Sequence, residues 1–349
     1  MHNRQVGAVL ALAAIAAASI AQPQARMQSE AKATAIMADV RKALGGEQKL
    51  AAIKGLSLRA DYRREAGAMP TAGGGATVMM FAGPGGPGGA GGPGGQTSGK
   101  IEIDVEFPER YLRSDIGSAG FALTRTEGFD GARPFLEIVP NSPGMRIQTD
   151  NPAADPARAK AALKRSNAEL ARMLLGLTGG TQPGFAVTYA YAGDAESPDG
   201  KAHIVDVTGP DDFKVRLFVD TETKLPLMLT YMEPEARMVT RMMTGGATPP
   251  GQHGAAAAPS APGQTATRPQ DLTPDERAEI DKARKEAEAA PPKLVEQRLF
   301  FADYRKVDGI SLPHHIARGT AAKTTEEWDV TGYKVNPAFK ADRFRVGGH

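Results

Sequence analysis

A chain of 349 residues has room for one large or two ordinary domains, but 40 glycines, 26 prolines and only 6% aromatics mean that part of it cannot build a core. A formal charge of +2 gives no reason to expect a nucleic acid partner. The absence of cysteine excludes disulfides and thiol chemistry.

The chain opens on Arg4 and a small, apolar run from Val6 to Ala21, with Ser19-Ile20-Ala21 ahead of Gln22. This predicts a signal peptide over 1–21, cleaved after Ala21, and a periplasmic or secreted mature protein. The run is short and alanine-rich for a bilayer span, and no later stretch is long enough, so no transmembrane segment is expected after signal removal. The remainder, 28–349, reads as a single domain interrupted by a Gly/Pro-rich insertion at about 66–99 and an Ala/Pro-rich one at 236–293.

Ile36, Met37, Val40 and Leu44 have helical spacing within 30–44, and Gly45-Gly46 ends that helix. A short helical piece, 47–53, leads into a strand over 56–63. "GPGGPGGAGGPGG" (83–95) has a period of three but too few triplets for a collagen helix, so it reads as a flexible loop. Val78-Met79-Met80-Phe81, just before it, reads as a strand end. "KIEIDVEF" (100–107) alternates, with Ile101, Ile103, Val105 and Phe107 on one face and Glu102, Asp104 and Glu106 on the other. Strands are predicted at 109–114, 121–129 and 134–139. Asp155 then caps a helix that starts at Pro156, carries Leu163, Leu170, Met173, Leu174 and Leu177 as its apolar stripe, and closes at Gly179-Gly180. Strands resume at 184–192, 201–208, 213–220 and 225–232. Thr273-Pro274-Asp275-Glu276 has the form of a capping box before a charged, solvated helix inside the second insertion. The last predicted strands are 294–307, 310–318, 325–333 and 343–346.

Catalytic signatures do not emerge. "GGQTSGKI" (94–101) nearly matches a phosphate-binding loop, but Ile101 stands where the magnesium hydroxyl belongs, and a strand follows in place of a helix. Asp211-Asp212 read as a solvated turn, and Glu326-Glu327, neighbours on a strand, point apart. Met238, Met242 and Met243 suit adaptable apolar contact better than a soft metal. The pair His314-His315 follows the tight turn Asp308-Gly309. Strand geometry puts His314 on the face of Ile310, Leu312 and Ile316, and His315 on the face of Ser311, Pro313 and Ala317. Adjacent strand residues do not readily ligate one ion, so neither a metal nor another cofactor is expected.

The phrases "ALGGEQKLAAIKGLSLRADYR" (43–63), "VDTETKLPLMLTY" (219–231), "DYRKVDGISLPHHI" (303–316) and "YKVNPAFKADRFRV" (333–346) resemble the LolA-like, outer-membrane lipoprotein-sorting proteins of the bacterial envelope. The resemblance covers most of the predicted folded chain and neither insertion. No cavity arginine of the family is assigned to Arg59, Arg63 or Arg113. It implies an α+β fold, a strongly curved antiparallel β-sheet forming an unclosed half-barrel with helices covering the concave side. It also implies an apolar cavity for lipid or lipoprotein acyl chains. Candidates for core or ligand-cavity positions are Ile101, Ile103, Val105, Phe107, Leu217, Leu227, Leu229, Ile310, Leu312, His314 and Ile316. The expected function is a soluble, non-enzymatic lipid or lipoprotein carrier. An envelope scaffold or sensor that contacts other envelope proteins, and a metal-dependent enzyme using His314, are the alternatives.

Overall fold

The computed structural model describes residues 26–65, 77–82, 96–118, 123–140, 152–198, 200–235, 238–243, 282 and 293–345. The expected signal peptide, the Gly-Pro tract 83–95 and nearly all of the expected charged helix lie outside them.

Three α-helices and fourteen strands are described. The helices are α1 (26–44), α2 (Glu47–Ala51) and α3 (Pro156–Thr178). The first half of the strands comprises β1 (Gly55–Glu65), β2 (Thr77–Ala82), β3 (Gln96–Glu106), β4 (Arg110–Gly117), β5 (Leu123–Asp130), β6 (Arg133–Pro140) and β7 (Thr188–Ser197). The second half comprises β8 (Gly200–Thr208), β9 (Lys214–Asp220), β10 (Pro226–Pro234), β11 (Met238–Met243), β12 (Leu294–Val307), β13 (Ile310–Thr320) and β14 (Thr324–Val335). Twelve of them form one antiparallel sheet in the order β6-β5-β4-β3-β1-β14-β13-β12-β10-β9-β8-β7. β6 and β7 stand at its two ends unpaired with each other, so the sheet is not closed.

The fold is α+β, with an apolar inner face. Leu56, Leu58 and Ala60 of β1 lie opposite Val105, Ile103 and Ile101 of β3, Tyr62 lies opposite Gly99, and these apolar side chains are all buried. One continuous core joins these to Val205, Leu217, Leu229, Leu299, Ile310, Leu312 and Ile316 across the sheet. α1 adds Ala33, Ile36, Met37, Val40 and Leu44, a spacing of three and four that sets one stripe against the sheet. α3 adds Leu170, Met173, Leu174 and Leu177. Its start follows local chemistry, because the Asp155 carboxylate accepts from the amides of Ala157 and Arg158.

Two glycines fix how these layers meet. Asp308 and Gly309 take φ of 53° and 79°, the left-handed pair of a two-residue hairpin turn, which sets Val307 opposite Ile310. Gly176 lies where α3 rests on β12, and a Cβ there would come 2.0 Å from the Phe301 ring. Gly176→Ala is therefore expected to lower stability by about 1–3 kcal/mol through overpacking, despite a helix-propensity gain of about 1 kcal/mol. Urea denaturation measures the balance, and a variant more stable than the parent would refute this packing argument.

The structure departs from the sequence reading in places. Gly184 belongs to a turn closed by the Phe185 amide on the Gln182 carbonyl, 185–187 are irregular and not the start of a strand, and β7 begins at Thr188. Residues 343–345, expected as a strand, are turns. They lie on the convex face, where Phe344 packs with Leu112, Phe135 and Phe339, so side chains and not a ladder hold them. β2 and β11, drawn from the two segments read as insertions, pair with each other in parallel as a separate two-stranded sheet.

Candidate ligand site on the concave face

The inner face changes character at one end. On four strands the apolar alternation continues into charge at the same parity. β1 runs Leu58, Ala60, Tyr62, Arg64; β4 runs Tyr111, Arg113, Asp115; β13 runs Leu312, His314, Ile316, Arg318; β14 reaches Val330 and Trp328 from Glu326. The antiparallel order brings these charged ends together under α3.

There they form a buried lattice. Arg113 bonds Glu169 of α3 at 2.9 Å and Asp115 at 3.1 Å, and lies 3.6 Å from Glu326. Arg64 bonds Glu326 at 2.7 Å. Arg318 bonds Glu169, and the Trp328 indole donates to Glu326. The guanidinium carbons of Arg113 and Arg318 lie 5.1 and 5.2 Å from the Trp328 ring centre. Burial alone would raise the Glu169 carboxyl, but the charges of Arg318 and Arg113 overcome it and hold the group at about 2. Glu326 is lowered in the same way, with Arg64 and Arg113 as the main opposing charges.

Two cavities flank α3 beside this lattice. The first, about 320 Å³, lies between α3, the β5–β6 edge and the end of β10, with Tyr111, Leu136, Ala162 and Ala168 among its apolar lining. β6 and β10 stand far apart in the strand order, so their meeting in one cavity requires a strongly curved sheet. The second, about 630 Å³, lies on the side of β8–β10, with Phe185, Val207, Phe213 and Tyr231 in its lining. Lys164, Ala168, Arg172 and Met232 line both, so the two adjoin. Arg172 lies 3.8 Å over the Tyr231 ring and 3.5 Å from Glu233, whose carboxyl is raised by burial against the opposing charge of Arg172.

The residues singled out from sequence occupy other positions. Ile101, Ile103, Val105, Leu217, Leu229, Ile310, Leu312 and Ile316 are all buried in the core beneath the helices. Phe107 packs half-buried against them, and Leu227 is 39% exposed. None of them lines either cavity. His314 is half-buried, its ring edge-on to Tyr333 at 5.4 Å and its Nδ1 3.1 Å from the Leu312 carbonyl oxygen. His315 instead meets Asp329 at 3.2 Å, so the two rings have separate partners. Glu326 and Glu327 do point apart, Glu326 into the lattice and Glu327 to Arg63 at 3.3 Å. Among the described residues no group of three His, Asp or Glu side chains could hold a metal ion, and no helix is long and apolar enough to cross a membrane.

With this geometry the molecule is a curved, unclosed antiparallel half-barrel covered by helices on its concave side. No protein-family model matches the sequence, and no curated protein matches it. Among solved structures it is similar to a LolA superfamily protein from Nitrosomonas europaea, with 9% identity and TM-score 0.40, covering 90% of this chain and 97% of that one. It is similar to a DUF1329 family protein from Desulfovibrio piger, with 9% identity and TM-score 0.38, covering 90% and 97%. A third is an outer membrane lipoprotein-sorting protein domain from Vibrio parahaemolyticus, with 11% identity and TM-score 0.33, covering 88% and 94%. The half-barrel itself is established by the strand order and the cavity that joins β6 to β10.

Proposed function

We propose that this is an exported, non-enzymatic carrier or sorting protein of the bacterial envelope that holds a lipid or acylated ligand on the concave side of its half-barrel. The observation that carries this reading is the pair of adjoining cavities along α3, with apolar side chains in their linings and charged ones beside them. An acyl chain gains about 0.8 kcal/mol for each methylene it buries, so such a ligand needs no elaborate polar recognition along its length. The apolar positions Ile101, Ile103, Val105, Phe107, Leu217, Leu229, Ile310, Leu312 and Ile316, with His314 beside them, are then the bed on which the helices that wall the ligand site rest. The test is an organic extract of the purified protein, read by mass spectrometry, together with titration of a fluorescent fatty acid. Stoichiometric lipid or saturable uptake is expected. Neither co-purifying lipid nor uptake would set the carrier aside in favour of an envelope scaffold.

A further inference from the structure

Three residues that line the first cavity carry buried hydrogen-bond donors with no acceptor among the described residues. Tyr111 is 1% exposed, and its hydroxyl makes no hydrogen bond among the described residues. The Nε atoms of Arg125 and Arg172 are buried and equally unpartnered. Lys164 and Arg165, consecutive on α3, are exposed at the mouth. Lys164 reaches only the exposed Asp212, at 3.9 Å, and Arg165 makes no ion pair among the described residues.

The carboxylates in the wall do not cancel these charges. Four cations (Arg125, Lys164, Arg165, Arg172) face three carboxylates (Glu127, Glu169, Glu233). Glu169 is committed to Arg113 and Arg318, which are not part of the lining. Glu127 holds Arg125 at 2.9 Å and Glu233 holds Arg172 at 3.5 Å, leaving Lys164 and Arg165 in excess. Buried donors without acceptors are costly, and an oxyanion satisfies several at once through charge-assisted bonds.

We infer that this cavity takes the oxyanionic head group, a phosphate or carboxylate, of the amphiphile proposed above, with Arg165 and Lys164 at its mouth and the Tyr111 hydroxyl in its wall. The inference rests on the lipid-binding reading, and the adjoining larger cavity takes the apolar tail. A neutral sugar head suits this wall less well, because its hydroxyls also need acceptors and Glu233 Oε2 is the one unpartnered buried carboxylate oxygen among the described lining residues.

The full chain is titrated with dodecyl phosphate, dodecyl maltoside and inorganic phosphate, below micellar concentrations. Calorimetry gives the affinities. Fluorescence of Trp328, the single tryptophan of the chain, reports the lattice behind Glu169. Dodecyl phosphate is expected to bind at least about tenfold more tightly than dodecyl maltoside, the scale of one charge-assisted hydrogen bond. The double change Lys164→Ala/Arg165→Ala, at exposed positions, removes that preference, with dodecyl phosphate losing more affinity than dodecyl maltoside. Tyr111→Phe, which keeps the ring, weakens dodecyl phosphate several-fold more than the maltoside. Equal binding of the two amphiphiles overturns the head-group site and leaves the carrier reading standing. Inorganic phosphate bound as tightly as dodecyl phosphate overturns the amphiphile in favour of a free oxyanion. Failure of both amphiphiles to bind sinks the carrier reading and this inference with it.

Discussion

Glu169→Ala will destabilise the protein by about 3–5 kcal/mol, because it leaves the buried Arg113 and Arg318 without their shared carboxylate. The effect exceeds that of an ordinary ion pair because both arginine side chains are at most 8% exposed, so water cannot replace the lost partner. Urea denaturation followed by Trp328 fluorescence measures it directly. A companion result follows from pH. An unfolded glutamate titrates near 4.5, whereas Glu169 in the folded protein is held at about 2. A depressed carboxyl contributes stability that is complete above the unfolded value and fades as pH falls through the folded one. About 3 kcal/mol is therefore lost between pH 4.5 and 2. Glu169→Gln is expected to flatten that part of the stability profile. A profile as steep as that of the parent would show that the arginines do not hold the charge.

On the opposite face, Asp104→Ala is expected to destabilise the protein by about 3 kcal/mol and to free the C-terminal segment. Asp104 is fully buried and accepts from Ser57, from Arg59 at 2.8 and 3.1 Å and from Arg343 at 2.7 Å. Burial alone would raise its carboxyl, but the hydrogen bonds from Arg59 and Ser57 and the charges of Arg59 and Arg343 hold it below the usual range. Removing it leaves Arg343, with a 17% exposed side chain, dependent on Glu102 alone. The lower end of the range for a broken buried pair applies because Arg59 is 38% exposed. Limited trypsin digestion checks the second half of the expectation. Cleavage after Arg343 accelerates in the variant if Asp104 clamps this segment, and an unchanged digestion rate with an unchanged melting temperature refutes the clamp.

The sheet was legible in the sequence because its signal is local. "KIEIDVEF" alternates without interruption, and the observed strand buries Ile101, Ile103 and Val105 of the predicted face, while Phe107 falls just past its end. The Asp308-Gly309 turn could be read because left-handed φ at two successive positions has few sequence solutions. The C-terminal turns were not legible. "ADRFRV" alternates like a strand, but its charged residue Arg343 answers to Asp104, a partner far away in sequence. The buried lattice was missed for a related reason. Arg64, Arg113, Arg318 and Glu326 each read alone as a polar strand end, and no single strand reveals that four such ends converge. One signal was present: each lies at the same parity as its strand's apolar residues, so each points inward. Inward parity marks a buried charge, and only the strand order supplies its partners.

The pairing of β1 with β14 sets a timetable for the molecule. The strand that flanks β1 in mid-sheet, on the side away from β3, is the last described strand. While the chain is still being made, β3 to β6 can assemble on β1, and β7 to β10 can do the same among themselves. β2 and β11 already pair across these two blocks, but the main sheet has no continuous ladder between them until β12 to β14 arrive. Until then one edge of β1 and one of β10 stand open, each a template for the wrong strand. A chain cut short before Thr324 would therefore lose more than its end: its main sheet would be left as two halves with no ladder between them.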